Sequence, residues 1–156
     1  MAEIIDLSDW ERWWADLNAQ FHAINYEATL LSFMGVLETA HAGFFQRASS
    51  PSGAPWPKLS PVTIARKGHD TILVETGRLR ASLSRRGRDA IRETTHRGLI
   101  FGTEVPYSIF HQTGGARLPQ REHVGMNEPL VEILMLDLAD ATIAGLMPAQ
   151  PIVGTP

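Results

Sequence analysis

The sequence predicts an α+β domain in which long amphipathic helices at both ends pack on a small antiparallel β-sheet, with short helices between them. Three observations predict this class. Near both ends, apolar residues recur at spacings of three and four, as in helices with one apolar face. Two short segments in the middle favour strands and are separated by a turn. Prolines and glycines punctuate the chain between these patterns, so the intervening helices must be short.

The first helix is predicted to begin near Asp9, because residues 8–11 (Ser-Asp-Trp-Glu) have the form of a capping box. Two interpretations of its apolar face stay open. The face packs on the core of its own chain, or, because the helix is terminal and rich in tryptophan, it anchors a neighbouring subunit. We assign Trp10, Trp13 and Trp14 as candidate interface residues. The full face comprises Leu7, Trp10, Trp14, Leu17, Phe21 and Ile24.

The second helix, from about Tyr26 to Arg47, is predicted to be the main core helix because its apolar stripe is wide. A loop over 48–55 contains two prolines and a glycine and ends the helix. Trp56 follows, between two prolines, where we expect it to plug the core under the long helix. The stripe comprises Leu30, Leu31, Phe33, Met34, Leu37, Phe44 and Phe45.

Two short helices are predicted after this loop. Ser60 as the cap and Pro61 at the first position open one of them, and Gly68 closes it. Thr76 and Gly77 open the next. Its apolar residues are Leu79 and Leu83.

A hairpin and a third short helix follow. Strands over 90–93 and 99–101 are joined by a turn at 95–98. Pro106 fits the first turn of a helix that Gly114 terminates.

A last amphipathic helix is predicted from about Asn127 to Gly145. The chain then divides into three parts. These are a Trp-rich amphipathic helix at 1–25, an α+β domain at 26–145 and a flexible tail at 146–156.

Composition excludes several classes of protein. The 156 residues suit one domain, and 44% apolar with 20% charged residues is the composition of a globular chain. The absence of cysteine excludes disulfide frameworks, thiolate metal sites, iron–sulfur clusters and thiol nucleophiles. The start of the chain lacks the pattern of a secretory signal, and the longest uncharged stretch, 141–156, is broken by prolines. We therefore expect synthesis in the cytoplasm and no membrane span.

Charge is segregated along the chain. Residues 1–46 hold seven acids and one base, residues 47–121 hold thirteen bases and five acids, and residues 122–156 hold five acids and no base. Two interpretations stay open: head-to-tail pairing between copies, or acidic end helices that pack over the basic middle of the same molecule. Twelve of the fourteen bases are arginine, which makes forked contacts with carboxylates and phosphates.

The densest basic run is interpreted as a partner-facing or solvated surface, because it lacks the interleaved aromatic residues of a nucleic-acid site. Nonspecific contact with DNA phosphates stays open. The candidate interface residues in this run are Arg78, Arg80, Arg85, Arg86 and Arg88, and Arg92 extends it.

The common signatures of catalysis are absent. We find no phosphate loop, dinucleotide fingerprint, nucleophile elbow or zincin motif, and no two of the six histidines have helical metal-ligand spacing. Glu122 beside His123 is the one pair considered for polarising water, and adjacent side chains usually diverge. We therefore predict no enzyme and assign no catalytic, cofactor-binding or metal-binding residue.

An ordered series of short motifs runs through the middle of the chain. After Phe44-Phe45 it reads P-S-G-A-P-W at 51–56, L-S-P-V-T at 59–63 with Lys67, I-L-V-E-T-G-R-L-R-A-S at 72–82, I-F-G-T at 100–103, Y-S-I-F-H-Q-T-G at 107–114 and P-Q-R at 119–121. The series resembles the bacteriophage virion-morphogenesis family, the Mu-like tail-completion and neck proteins. The resemblance spans about 44–125. It lacks the aromatic that the family commonly places after P-x-R, and the Trp-rich first helix lies outside the pattern.

Physical arguments give the motif residues structural roles. A buried polar cluster at Tyr107, His111 and Gln112 is expected to fix the packing of the sheet. The motif residues assigned to the fold are Trp56, Thr76, Gly77, Leu79, Tyr107, His111, Gln112, Gly114 and Arg121.

The resemblance implies a function. It implies a virion protein of the head–tail junction or tail end, assembled in the host cytoplasm, that completes the tail or joins it to the head without catalysis. Its expected partners are itself, in a hexameric ring, and the neighbouring connector, stopper and tail-tube proteins. The alternatives are an assembly factor absent from the virion, a DNA-contacting module, or a small hydrolase with an ordered polar pocket around His111 or His123.

Overall fold

The structure, a computed structural model, describes residues 7–85 and 87–147 and has the mixed helix-and-sheet class that the sequence predicts. Its elements in chain order are α1 (Leu7–Ala23), α2 (Glu27–Arg47), α3 (Pro61–Lys67), α4 (Arg78–Ser84), β1 (Ala90–Thr95), β2 (Gly98–Thr103), α5 (Ser108–Thr113) and α6 (Glu128–Leu146).

The centre of the fold is α2, which packs against α4, both strands and α6. By length and composition α2 could cross a bilayer, but its apolar residues form the core of the folded domain. It contributes to both hydrophobic clusters. One cluster comprises Phe33, Leu37, Phe44 and Leu130, and the other comprises Phe45, Trp56, Leu79, Leu83 and Val105.

The sheet is a single antiparallel hairpin whose register pairs Ala90 with Thr103 and Thr95 with Gly98. Its strands are longer than predicted, and only two residues, at 96–97, connect them. The hairpin is tied to the start of α2 by a hydrogen bond from the Tyr26 backbone N–H to the His96 carbonyl at 2.9 Å.

One arginine fastens the hairpin to two helices. Arg92 Nε donates to Glu38 of α2 at 3.0 Å, and its other nitrogens donate to carbonyls of Ser82, Ile91 and Gly102. Its guanidinium lies 3.9 Å from the centroid of the Phe101 ring. Arg92 was predicted to extend a partner-facing run, and that prediction is wrong because its side chain is only 9% exposed.

Several helix ends have the capping residues that the sequence predicts. Ser60 Oγ accepts from the Thr63 N–H at 3.2 Å, and Gly68 ends α3 with φ of 74°. Gly77, with φ of 78°, precedes α4 in the left-handed conformation that glycine adopts without strain. Asn127 caps α6 by accepting from the Leu130 N–H at 3.2 Å.

Two helix starts differ from prediction. Ser8 lies inside α1, so residues 8–11 do not form a capping box; the Ser8 carbonyl instead accepts from the Arg12 side chain. The first turn of α5 excludes Pro106, because the Ser108 N–H bonds to the carbonyl of buried Val105 and forms a turn before the helix. The division of the chain into three parts stays a prediction, and residues 148–156 of the predicted tail lie outside the described residues.

Candidate interaction surfaces

Trp56 is buried beneath the carboxyl end of α2. It is 4% exposed, and its ring meets the Phe45 ring edge-on with centroids 5.4 Å apart. The indole N–H donates to the Glu122 carbonyl at 2.7 Å. The first loop after α2 is therefore joined to the loop before α6.

Gln112 holds the second of these loops against α5. Its Oε1 accepts from the backbone N–H groups of His123 (3.0 Å) and Val124 (3.1 Å), and its Nε2 donates to the Val124 carbonyl at 2.8 Å. Gly114 closes α5 at φ of 70°, and a Cβ there would lie 2.8 Å from the backbone nitrogen of Gln120. No side chain fits at this crossing.

The loop before α6 carries two buried basic side chains, Arg121 and His123. Arg121 is 5% exposed and donates to the carbonyls of Pro57 (2.9 Å) and Lys58 (3.2 Å), and burial lowers the pKa of its guanidinium. His123 is fully buried, with Nδ1 bonded to the Arg121 carbonyl and Nε2 to Ser108 Oγ. Burial lowers the pKa of His123, so the neutral imidazole is the form that the fold holds.

A cleft of about 670 Å³ lies between α3, the loop leading to α4, α5 and the segment 117–121. We call it the basic cleft, because among the described residues it is lined by one acid, Glu75, and six bases. The bases are Lys58, Arg66, Lys67, Arg78, Arg117 and Arg121. Four of the motif residues that were assigned to the fold also line it: Thr76, Tyr107, His111 and Arg121.

The charge of the basic cleft is largely uncompensated. Of the six bases, only Arg78 has an ion pair within the described residues, and its partner is Asp89 at 2.6 Å. This contact lowers the pKa of the Asp89 carboxyl. The pKa of His111 is lowered by burial first and then by the nearby charges of Arg121 and Lys67. The cleft thus disfavours additional positive charge and suits an anion.

The tryptophans of α1 form an exposed cluster. Trp10, Trp13 and Trp14 are 55%, 52% and 58% exposed, and their rings lie 5.0 to 6.4 Å apart. The interpretation that the apolar face packs on the core of its own chain is therefore wrong for these tryptophans, whereas Ile24, at the end of the same face, is buried. The helix is attached near its carboxyl end, where Arg97 donates to the His22 carbonyl at 2.7 Å.

Most of α6 is also uncovered. Among its residues only Leu130 is buried, while large apolar side chains stand exposed along the rest of the helix. These are Val131, Ile133, Met135, Leu136 and Ile143. A helix that is apolar on most sides normally lies inside a larger structure, whereas these side chains are exposed among the described residues.

A model of the phage virion morphogenesis family matches residues 5–155. The chain belongs to this family. The match includes α1, which the motif series had left outside. No curated protein and no solved structure matches the chain.

Family membership gives this virion morphogenesis protein a structural or assembly role in the phage particle. The Ser108–His123 hydrogen bond, 2.8 Å long, has the donor–acceptor pairing of a nucleophile and base. Both side chains are buried, however, and neither lines the basic cleft. His123 turns inward, away from a water-polarising arrangement with Glu122, so the pair gives the hydrolase alternative no support.

The described residues of the basic run of this virion morphogenesis protein differ in their surroundings. Arg78 lines the basic cleft, Arg88 lines a neighbouring depression with it, and Arg80 and Arg85 are exposed. Arg86 lies outside the described residues. The sequence analysis did not group the other bases of the cleft, because they come from three separated segments of the chain. Two of them, Lys67 and Arg121, belong to the motif series, and this was the signal that could have identified the cleft.

Proposed function

We propose that this chain forms a ring at the head–tail junction or tail end, where it completes the tail or joins it to the head. The proposal goes beyond the virion morphogenesis role that family membership gives. The observation that carries it is the apolar surface of α1 and α6, which the described residues, 7–85 and 87–147, leave uncovered.

This surface is too large for a monomer. Three tryptophans alone present side chains that each bury about 150–250 Å² when fully covered, and α6 adds five exposed apolar residues. Monomeric proteins rarely leave contiguous patches beyond a few hundred Å² uncovered. A second copy or a neighbouring tail protein would cover it.

Charge supports contacts between unlike faces of identical copies. The helices at the two ends belong to acidic segments, while the middle of the chain is basic. A contact between an acidic end and a basic middle is heterologous, and heterologous contacts close into rings when the rotation allows. We propose the hexamer that the family resemblance implies, with neighbouring neck and tail proteins as its further partners.

Quantitative mass spectrometry of purified particles tests the proposal. The copies of this chain are counted against the copies of the portal subunit. We expect a ratio of about one half, which is the ratio of a sixfold to a twelvefold ring. Absence of the chain from finished particles would contradict the proposal and favour a transient assembly factor. A ratio far below one half would contradict the ring.

A further inference from the structure

We infer that α1 of one copy binds in the basic cleft of the next copy. The inference rests on the proposed ring and specifies which two surfaces meet in it.

The exposed part of α1 combines indole rings with carboxylates. At about 100° per residue, Trp10, Trp13 and Trp14 form one stripe, with Asp16 on one side and Glu11 on the other. Neither of these acids has an ion pair within the described part of the chain. The stripe is therefore an apolar ridge with a negative flank on each side.

The basic cleft offers the complementary groups. Arg66 and Arg117 are exposed and have no ion pair among the described residues. Guanidinium groups stack on tryptophan rings and form forked bonds with carboxylates. The cleft also has apolar walls, which are formed by Leu73, Val74, Tyr107, Leu118 and Pro119.

The mixed lining favours a protein segment over nucleic acid. Phosphates would use the charges of the cleft but leave its apolar walls without a partner. An indole-rich acidic helix uses both, and tryptophan and arginine are the residues that dominate binding energy at protein interfaces. DNA is accordingly an outcome of the test rather than the proposed occupant.

The contact is between copies. Within its own chain α1 packs against α6, whereas the cleft is built by α3, α4, α5 and their loops. A helix of one copy in the cleft of the next repeats the same contact around an assembly, as a heterologous ring requires.

Engineered disulfides test this directly, because the chain has no cysteine. Asn18 lies four residues after Trp14, on the same side of α1, and Lys58 is an exposed residue of the cleft. Particles carrying Asn18→Cys with Lys58→Cys in one chain are oxidised and examined on non-reducing gels. We expect a ladder of dimers and higher species, since a disulfide needs Cα atoms within about 7 Å.

The controls distinguish the other arrangements. Asn18→Cys alone should give no dimer; a dimer would show that α1 pairs with α1 and would overturn the inference. An intramolecular disulfide, seen as a faster-migrating monomer, would overturn it as well. Ile133→Cys with Lys58→Cys places the thiol on α6 and should give no ladder.

Charge reversal tests whether the cross-linking depends on the charges that are proposed to meet in the contact. Arg117→Glu should reduce cross-linking of the paired cysteines at least about tenfold, and Glu11→Arg in the same chain should restore it. The matched reversal Arg47→Glu, at an exposed base outside the cleft, should change it less than about threefold.

The outcomes separate the two proposals. If several copies are present in each particle but no ladder forms, the inference fails and the ring stands. If the chain is absent from particles, the proposed function fails first. If Arg117→Glu weakens salt-dependent oligonucleotide binding and leaves cross-linking unchanged, the cleft binds DNA and the inference is overturned.

Discussion

The indole N–H of Trp56 donates to the carbonyl of Glu122 at 2.7 Å, across 66 residues of sequence. Together with the bonds from Arg121 to the carbonyls of Pro57 and Lys58, this bond joins the loop after α2 to the loop before α6. Both loops carry residues of the basic cleft, with Lys58 on one side and Arg121 on the other. The shape of the cleft therefore depends on a residue that does not line it.

Replacing Trp56 with phenylalanine should keep most of the buried ring and remove the hydrogen bond. A buried carbonyl left without a donor costs about 1–3 kcal/mol, so we expect the free energy of unfolding to fall by that amount in denaturant titrations. Trp10→Phe, at an exposed position, should change it by less than about 0.5 kcal/mol. Equal effects of the two substitutions would contradict this account of Trp56.

Removing one partner of the Arg92–Glu38 ion pair should strongly reduce the free energy of unfolding. The Arg92 side chain is 9% exposed and donates to three carbonyls besides Glu38. Arg92→Ala leaves the Glu38 carboxylate partly buried and unpaired, and we expect a loss of about 3 kcal/mol. A double-mutant cycle with Glu38→Gln measures the coupling between them, and a coupling near zero would show that the carbonyl contacts dominate.

Stability should fall as the solution is acidified, because of His41. Burial lowers the pKa of His41 from 6.5 to about 4, against the opposing effect of its hydrogen bond to the Leu37 carbonyl, while the charge of Arg92 lowers it further. The unfolded chain binds this proton at about pH 6.5, so between pH 6.5 and 4 the unfolded state holds more protons and stability rises with pH.

The full contribution is thus present above about pH 6.5 and lost as the pH falls to about 4. It amounts to about 3 kcal/mol at 1.36 kcal/mol per pKa unit. Unfolding measured at pH 7.5 and pH 4.5 checks this. His41→Leu should reduce the pH dependence, leaving the part due to His111 and His123, whose pKa values are lowered in the same direction. An unchanged slope in His41→Leu would contradict the assignment.

Two glycines with positive φ provide a matched comparison. Gly114→Ala places a Cβ 2.8 Å from the backbone of Gln120, whereas Gly53→Ala, at φ of 88°, meets nothing within 4 Å. The positive φ of both positions disfavours a Cβ. Gly114, with φ of 70° and ψ of −172°, lies in a region essentially restricted to glycine, where another residue costs about 1–3 kcal/mol, and Gly114→Ala adds the steric clash to this strain. We expect thermal unfolding to show Gly114→Ala as the less stable by at least about 1 kcal/mol; the reverse order would contradict the close crossing.

The exposed face of α6 should matter for assembly and not for folding. Leu136 is 60% exposed, so Leu136→Glu should change the free energy of unfolding by less than about 0.5 kcal/mol. It should nevertheless reduce the amount of the chain in purified particles, because a charge would then lie in the interface. Leu130→Glu, at a buried position of the same helix, should instead prevent folding. Normal incorporation of the Leu136→Glu variant into particles would show that this face of α6 is not part of the interface.

Features that depend on neighbours along the chain could be predicted from the amino-acid sequence. The Ser60 cap, the glycines at the ends of α3 and α5, and the hairpin follow from backbone preferences, which act over three or four residues. The motif series also identified the family, because its order is a property of the sequence alone. The periodicity of α1 and α6 likewise marked which of their residues are apolar.

The positions of those residues in the folded molecule could not be predicted, because they depend on long-range packing. Periodicity says which face of a helix is apolar but not whether another surface covers it, so the exposure of Trp14 could not be predicted. Arg92 and Arg78 belong to one basic run, yet one is buried against Phe101 and the other lines a cleft. The basic cleft itself gathers Lys58, Arg117 and other residues far apart in sequence, because long-range packing and not local preference sets which loops meet.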